Sequence, residues 1–502
     1  MSLSRRWLAR LLTLGCLLSA VAAGGYLTAV APPVPPMPKA YPALKIHQPT
    51  PVPDRVVLTW KGDPTNSQAV TWRTDASVRR AYAEIAEAQD GPNFAGGRYD
   101  KNFQPRRLTA KTTSLKTDLG HVAYNHSVNF EGLQPDTLYA YRVGDGVNWS
   151  EWFHFRTAST EPRPFSFLYF GDAQNDIKSH WSRVIRQAYR EAPDARFLLH
   201  AGDLINSANS DAEWGEWFTA AGWINGSIPS VPTPGNHEWF RDRLVDENGK
   251  RGEQVGTISR HWRQQFTLPE NGPPGQEELV YYFDYQGVRF VSLNSNRQQS
   301  RSTADWQAQA EWLDRILTDN PCRWTIITFH HPIYSPAKNR DNPELRKLWQ
   351  PVFDKHRVDL VLQGHDHTYA RTGLMTAEND ASGTQVFAPS GTVYCVSVSG
   401  PKMYKLNPKD WMVSSLEGKQ LYQVIRIDGN KLRYQAYLAT GQLHDVFELH
   451  KQRDGTNRLL ERDELEALSS SWWQKNRTWA FPVFGLVGLA FLLLLGRVWR
   501  KA

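Results

Sequence analysis

The chain has 502 residues, which is too long for a single hydrophobic core and indicates about two or three domains. Hydrophobic residues make up 40% and charged residues 22%, a balance that excludes a disordered or fibrous chain. The formal net charge is +7, but the lysines and arginines are scattered along the chain. We therefore predict no nucleic-acid partner.

The N-terminal segment is predicted to direct the chain across a membrane. Three arginines within the first ten residues precede an apolar run at 11–20, and small residues follow it. We favour a cleaved signal peptide over residues 1–24. The alternative is an uncleaved anchor, because no charge interrupts residues 11–31. A proline-rich linker then occupies residues 25–53.

Residues 54–158 carry the pattern of an all-β domain. Short runs rich in β-branched and aromatic residues predict strands, and Trp72 is expected to lie in their core. Strict alternation places Tyr139, Tyr141 and Val143 on one face of a late strand. This spacing resembles the corner of fibronectin type III sandwiches, where a tyrosine hydroxyl docks onto the backbone.

From about residue 163 to residue 450, strand-like and helical segments alternate, which predicts an α/β domain. The predicted strands are 165–170, 196–200, 288–294, 324–329 and 358–362. The predicted helices are 181–191, 304–319 and 344–356. In such sheets, ligands gather at the carboxyl ends of the strands. We expect the tryptophan-rich insert at 207–232 to shape the rim of the site.

Five stretches of the chain, each of which follows an apolar run, carry side chains that can bind metals. The stretches are Gly171-Asp172, Gly202-Asp203, Gly235-Asn236-His237-Glu238, His330-His331 and Gly364-His365-Asp366-His367. Oxygen and imidazole donors without thiolate suit Mn, Fe or Zn. The set is too large for one tetrahedral ion but suits two ions that share a carboxylate. Such a pair is well suited to in-line displacement at phosphorus.

The ordered motif set resembles the metallophosphoesterase superfamily and, within it, the purple acid phosphatases and their bacterial relatives. The resemblance covers about residues 50–450. It implies a four-layer β-sandwich flanked by helices and preceded by the fibronectin-like domain. It also implies six ligands for two ions: Asp172 and His367 for the first, Asn236, His330 and His365 for the second, and Asp203 as the bridge.

The resemblance also implies catalytic roles and one departure from the purple enzymes. His237 is expected to face the phosphate, and His331 faces the substrate or supports the ligands. In purple acid phosphatases a tyrosine three positions after the bridging aspartate binds ferric iron, whereas Asn206 stands there in this chain. We therefore expect a colourless site without a ferric tyrosinate. Asn206, Tyr334 and Arg371 are predicted to line the pocket.

The C-terminal end of the chain is predicted to anchor the protein. Residues 451–477 are polar and charged and are interpreted as a stalk. Residues 478–496 form an apolar run, with tryptophans at its margins and basic residues after it. This pattern predicts a transmembrane helix that leaves the bulk of the chain extracytoplasmic, in the periplasm or at the cell surface.

Taken together, the sequence predicts a membrane-anchored, extracytoplasmic hydrolase of phosphate esters that acts as an acid phosphatase-like phosphomonoesterase. A phosphodiesterase on the same site is one alternative. A second is an inactive hydrolase fold that serves as a surface binding module, although the complete ligand set argues against it. The sequence leaves open the oligomeric state and a disulfide between Cys322 and Cys395, which we favour as separate thiols.

Overall fold

The computed structural model describes residues 41–91, 105–245, 251–296, 302–377 and 391–468. A short helix, α1 (Ala43–Ile46), belongs to one compact unit, and the residues from His47 onward belong to another. The second unit contains two parts. We call residues 54–158 the N-terminal domain and the part from residue 163 to Glu461 the C-terminal domain.

Eight described strands build the N-terminal domain: β1 (Asp54–Thr59), β2 (Ser67–Asp75), β3 (Tyr82–Glu87), β4 (Arg106–Thr109), β5 (Lys111–Lys116), β6 (Val122–Glu131), β7 (Leu138–Gly144) and β8 (Phe153–Arg156). They form two antiparallel sheets with the orders β1-β2-β6-β5 and β4-β3-β7-β8. Trp72 is 1% exposed in the core. The Gln134 N–H donates to the Tyr139 hydroxyl at 2.9 Å, so the predicted tyrosine corner is confirmed.

The strands of the C-terminal domain are β9 (Phe165–Phe170), β10 (Leu198–His200), β11 (Ser230–Pro232), β12 (Trp239–Val245), β13 (Arg251–Ile258), β14 (Tyr281–Tyr285), β15 (Val288–Ser292), β16 (Trp324–Thr328), β17 (Leu360–Gln363), β18 (Tyr369–Arg371), β19 (Val393–Val396), β20 (Ser414–Leu416), β21 (Leu421–Asp428), β22 (Lys431–Leu438), β23 (Leu443–Lys451) and β24 (Asn457–Glu461). Its helices are α2 (Ile177–Glu191), α3 (Asp211–Ala221), α4 (Ile224–Ser227), α5 (Trp262–Gln265), α6 (Ser302–Thr318) and α7 (Pro343–Lys355).

Two seven-stranded sheets form the centre of the C-terminal domain. Their orders are β11-β10-β9-β21-β22-β23-β24 and β14-β15-β16-β17-β19-β18-β20. Aromatic side chains from both sheets meet in one core, where the rings of Phe167 and Phe290 lie 5.3 Å apart. Helices α6 and α7 pack on the outer face of the second sheet, and α2 and α3 pack on the first. The predicted α/β sandwich flanked by helices is therefore confirmed.

The parallel strands account for the success of the sequence prediction. Strands β9, β10, β15, β16 and β17 are buried along their whole length, so each appears in the sequence as a continuous apolar run. A helix lies between β9 and β10, between β15 and β16, and between β16 and β17. Each of these three pairs is parallel. Strands β14 and β15 are joined directly and are antiparallel.

Two features of the C-terminal domain differ from expectation. The sheet continues through β24, so the boundary predicted at 450 is too early and the start of the predicted stalk is a strand. Trp214 and Trp217 of the insert are fully buried on α3 rather than placed on a rim. The ring of Trp217 stacks on Trp181 at 5.8 Å, because the amphipathic helices α2 and α3 pack against each other.

Within the described residues, Cys322 and Cys395 are free thiols, as the separate-thiol interpretation expected. No helix in the described ranges is both long and apolar enough to cross a membrane. The predicted signal peptide, most of the linker and the predicted span at 478–496 lie outside those ranges.

A buried charge network joins the two domains. Arg55 and Arg73 project from β1 and β2, and their guanidiniums donate to the Asp211 carboxylate at 2.7 and 3.3 Å. Trp60 inserts beside the network and packs on Phe283 of the second sheet with ring centroids 5.2 Å apart. Burial alone would raise the pKa of Asp211, but the two arginines outweigh it and lower that pKa.

The lowered pKa makes this contact pH-dependent. A carboxyl group whose pKa falls on folding adds stability above its unfolded pKa of about 3.9. The contribution is lost as the pH drops through the folded value. The network therefore stabilises the contact between the domains at neutral pH, and this contribution is lost in strong acid.

We expect Asp211→Ala to lower the free energy of unfolding by about 3–5 kcal/mol, because it leaves two buried guanidiniums without their carboxylate. Asp54→Ala is the matched control. Asp54 also pairs with Arg73, but its side chain is 41% exposed, so we expect a loss of about 1 kcal/mol or less. Urea denaturation of both variants measures the difference. Equal losses would contradict a dominant role for Asp211.

Candidate metal centre

The predicted ligands meet at the carboxyl edges of both sheets. Asp172, Asp203 and Asn236 follow strands β9, β10 and β11 of the first sheet. His330 follows β16 of the second sheet, and the segment from His365 to His367 follows β17. Parallel strands end at a common edge, so the two sheets bring all six side chains to one place.

The first group of donors consists of Asp172, Asp203 and His367. Their ligand atoms all lie within 4.8 Å of one another. His367 Nε2 is 3.2 Å from Asp172 Oδ2, and all three residues are buried. Gln174 lies between them: its Nε2 donates to Asp203 Oδ2 at 3.0 Å and is 3.1 Å from His367 Nε2.

The second group consists of Asp203, His330 and His365, and Asn236 lies beside it. His330 Nε2 is 3.2 Å from Asp203 Oδ2 and 3.1 Å from Asn236 Oδ1. His365 Nδ1 approaches the same His330 atom at 3.1 Å. Asp203 therefore belongs to both groups, which is the placement that the bridging assignment requires.

Backbone carbonyls determine which ring nitrogens face the centre. His330 Nδ1 lies 2.9 Å from the Ala201 carbonyl, and His367 Nδ1 lies 2.9 Å from the Lys402 carbonyl. A carbonyl oxygen only accepts, so both Nδ1 atoms carry hydrogen, and Nε2 is the ring nitrogen that is left to bind an ion. A hydrogen bond to the outer nitrogen is the usual support for a metal-binding histidine.

The backbone at the centre adopts conformations that are rare outside glycine. Asp203 has φ 53° and His365 has φ 71°, both in the left-handed region. Two glycines allow the close approach. A Cβ at Gly235 would lie 2.2 Å from Asp203 Oδ1, and one at Gly364 would lie 2.3 Å from Asp172 Oδ1. This close approach explains why glycine precedes Asn236 and His365 in their motifs.

The buried carboxyls and imidazoles shift one another's pKa. Burial and the neighbouring Asp203 raise the pKa of Asp172 to about 7, although His330 opposes this. Burial disfavours the charged form of Asp203 too, but His330 dominates and lowers its pKa. Burial opposes a charge on His330, yet the two carboxylates raise its pKa to about 9. Burial lowers the pKa of His367 to about 3.

These residues fit two divalent ions. Asp172 Oδ2 is buried and accepts no hydrogen bond, and it faces a ring nitrogen whose lone pair also points inward. Two such donors 3.2 Å apart match the spacing of about 3 Å between ligand atoms that share an ion. The same argument applies to His330 and His365 on the other side of Asp203. Oxygen and imidazole donors suit Mn, Fe or Zn.

Supporting residues hold the ligands, and sequence analysis gave them no role. Glu238 accepts the N–H groups of Asp203, Leu204 and Gly235 at 2.9, 2.8 and 2.6 Å, so it joins two of the ligand loops. Burial and Asp203 raise its pKa to about 8. Glu238 is the last residue of the motif that contains Asn236, and this position is the signal by which the sequence could have identified it.

A loop after β19 closes the other side of the centre. The Gly400 N–H donates to the Asp172 carbonyl at 2.6 Å, and the Tyr404 N–H donates to the His367 carbonyl at 3.0 Å. The Tyr404 ring lies 4.6 Å from the His367 ring, and its hydroxyl accepts from Arg340 at 3.4 Å. A tyrosine thus stands beside the first group, with its hydroxyl engaged by a guanidinium. Nothing in the local sequence predicts this loop.

His237 lies at the open side of the centre. Its Nδ1 donates to the Asn206 carbonyl, which leaves Nε2 free for a partner, and Nε2 is 4.0 Å from Asp203 Oδ2. Its side chain is 26% exposed, unlike the buried ligands. Asn206 occupies the position of the absent tyrosine, and together with His237 it lines a surface cavity.

His331 and Asp366 are neighbours of ligands in the sequence, and their side chains have other partners. The ring of His331 lies 4.2 Å from that of His365, and its Nδ1 is 3.0 Å from Ser295 Oγ. This places His331 against a ligand, so its predicted catalytic role stays a prediction. The Asp366 carboxylate contacts Ser335 and Arg340, away from the centre, as expected for the middle residue of an extended segment.

Two residues predicted to line the pocket lie in the core instead. Arg371 is 1% exposed, and its guanidinium donates to Asp445 at 2.7 Å and to Glu461 at 3.0 Å. Tyr334 is 3% exposed and accepts from Gln350 at 2.7 Å. The paired Arg371 guanidinium is not exposed to a substrate, so that prediction is wrong. Tyr334 lines a different cavity from the one beside His237, together with Arg340 and Trp411, and its predicted contact with substrate stays a prediction.

Comparisons with known proteins agree with this arrangement. The profile of the purple acid phosphatase N-terminal domain matches residues 53–157. The profile of the calcineurin-like phosphoesterases matches residues 165–369. The first match corresponds to the N-terminal domain, and the second contains all six predicted ligands.

Individual relatives are distant but cover much of the chain. Human acid phosphatase type 7 is 27% identical over 72% of this chain and 80% of the relative. Purple acid phosphatase 21 of Arabidopsis thaliana is 27% identical over 53% of this chain and 58% of the relative. A purple acid phosphatase from seeds of yellow lupin (Lupinus luteus) shares the fold, with a TM-score of 0.63 and 17% identity over 80% of this chain and 75% of that one.

We expect Asp203→Ala to remove most bound metal, because the substitution takes one donor from each group at once. Metal analysis of the purified protein, after incubation with Mn, Zn or Fe and removal of free ions, measures the loss. Asp366→Asn is the matched control, since its carboxylate lies between two ligands in sequence but contacts neither ion position. Full metal content in Asp203→Ala would contradict the shared-carboxylate site.

Proposed function

Because the chain belongs to the purple acid phosphatase-like metallophosphoesterases, a family of metal-dependent phosphoester hydrolases, we propose that it hydrolyses phosphate monoesters at the centre built around Asp203. The observation that carries the proposal is the pair of buried donor groups that share this carboxylate. A site for two cations, with a partly exposed histidine at its open side, provides what phosphoryl hydrolysis needs. The names of the relatives support monoesters as the substrates.

The roles of the chain's own residues follow from their contacts. Asp172 and His367 would hold one ion, Asn236, His330 and His365 the other, and Asp203 both. When bound, the two ions would supply a hydroxide near neutral pH and offset charge on the phosphate. The protein fixes the donors through the carbonyls of Ala201 and Lys402, and four of the six ligands, Asp172, Asp203, His330 and His367, are buried.

His237 is the proposed proton donor to the leaving oxygen. Its Nδ1 is occupied by the Asn206 carbonyl, so the ring is held in one orientation and Nε2 faces the opening. Imidazole is the side chain that most often transfers protons in enzymes, which suits His237 to general acid catalysis. Proton donation at this atom would neutralise the alkoxide as the ester bond breaks.

The proposed ions are divalent Mn or Zn, or Fe without a phenolate ligand. Asn206 stands where purple enzymes carry the ferric-ligand tyrosine, and the hydroxyl of the nearby Tyr404 is bound to Arg340. The protein should therefore be colourless. The metal-loaded protein is expected to lack the visible charge-transfer band of a ferric tyrosinate.

The function is tested by a panel of phosphomonoesters and phosphodiesters with Mn, Zn and Fe supplied separately. We expect monoesters to turn over fastest and His237→Ala to keep its metal while kcat falls by about 100-fold, since general acid catalysis typically contributes that much or more. A preference for diesters would favour the phosphodiesterase alternative. Turnover no higher than background with every metal would instead favour an inactive hydrolase fold that acts as a binding module.

We further propose that the protein is anchored in a membrane with its bulk outside the cytoplasm. The sequence patterns of residues 1–24 and 478–496 support this proposal, and both segments lie outside the described residues. Full-length protein should fractionate with membranes and be digested by external protease, whereas a chain ending at residue 477 should be released. Recovery of both forms in the soluble fraction would contradict the anchor.

A further inference from the structure

A cavity of about 650 Å³ opens beside His237. Its walls come from both domains. The C-terminal domain contributes Asn236, the segment 206–210, Trp239, Phe240 and Arg260, and the N-terminal domain contributes Asp118. The cavity therefore begins at a predicted metal ligand and the predicted proton donor and extends outward to the junction of the domains. Its volume is typical of small-molecule sites.

One wall of this cavity is aromatic. Phe240 is the second residue of β12, and 45% of its surface is exposed. Trp239 precedes it and packs against the core, and its indole N–H is buried without a hydrogen-bond acceptor. A large exposed aromatic side chain beside a catalytic histidine provides a face on which a planar ring can stack.

The other walls are polar and nearly neutral in charge. Apart from His237, the charged members among the described lining residues are Asp118 and Arg260, one of each sign. Both are held in place: Asp118 accepts from the Asp211 N–H at 2.9 Å, and Arg260 donates to the Lys116 carbonyl at 3.2 Å. A cavity with balanced charge gives little attraction to a leaving group that itself carries phosphate.

We propose that this cavity holds the leaving group of the ester and selects a neutral leaving group that contains a planar ring, such as a nucleoside or an aryl alcohol. The proposal rests on the proposed function. In the reaction, water adds to phosphorus, the ester P–O bond breaks, and the departing oxygen takes a proton from His237. The free alcohol then leaves through the cavity, past Phe240 and Asp118.

The ring preference is tested with Phe240. We expect Phe240→Ala to lower kcat/KM for a nucleoside 5′-monophosphate and for 1-naphthyl phosphate by about fivefold to tenfold, mainly through KM. Glycerol 3-phosphate should change by less than about twofold, because it has no ring to stack. Phe240→Tyr should restore both ring substrates. Trp223→Ala is the matched control, since Trp223 is also an exposed aromatic side chain but is not among the residues that line the cavity.

The two ring substrates distinguish a nucleoside leaving group from an aryl alcohol. A loss for both supports a general ring subsite, and a loss for the nucleotide alone restricts the subsite to nucleosides. Equal losses for all three esters, or no loss for any, would overturn the ring subsite at Phe240. The proposed function would still stand in that case, because the wild type hydrolyses the esters. If the wild type hydrolyses none of the esters, the proposed function itself fails.

The charge preference is tested in the same assay with Asp118→Asn, which keeps the Oδ1 acceptor for the Asp211 N–H. With a nucleoside 5′-diphosphate the leaving group is an anionic monophosphate. Removal of the carboxylate charge should raise kcat/KM for this substrate by about threefold at low ionic strength, and by less in high salt. The change for the monophosphate should be smaller, because its leaving nucleoside carries no charge. An equal effect on both nucleotides would show that Asp118 does not face the leaving group.

Discussion

The centre depends on one carboxylate that two groups of donors share. Asp203 lies within reach of His330 on one side and of the pair Asp172 and His367 on the other. Burial and the repulsion between these two carboxylates raise the pKa of Asp172, whereas His330 outweighs burial at Asp203 and lowers the pKa of that carboxylate. Cations bound at the two groups would offset the repulsion.

Much of the surrounding structure serves to fix this carboxylate. The backbone at Asp203 is left-handed, Gly235 leaves room for its side chain, and Glu238 binds its N–H. Strained backbone persists only where neighbouring contacts determine it, and here three hydrogen bonds do so: Asp203 donates its N–H to Glu238 and accepts from the His237 N–H and the Gln174 amide. These contacts hold the shared carboxylate in a defined geometry.

The sequence predicted those parts of the molecule whose signals are local. Strand β9 coincides with the predicted range, because a strand buried on both faces must be apolar throughout. The six ligands follow strands, so their positions were visible as well. Arg371 was placed wrongly because the partners that bury it, Asp445 and Glu461, are 74 and 90 residues away in sequence. The loop at Gly400 and Tyr404 was missed for the same reason.

The contact between Asp118 and the N-terminus of α3 has a consequence for how the two domains can be used. The same helix residue, Asp211, receives two arginines from the N-terminal domain through its side chain and donates its N–H to Asp118. The β-sandwich is thus a wall of the cavity as well as a spacer. With the proposed role of the cavity, exchange of the β5–β6 turn would alter which alcohols fit beside His237 and leave the metal ligands of this chain unchanged.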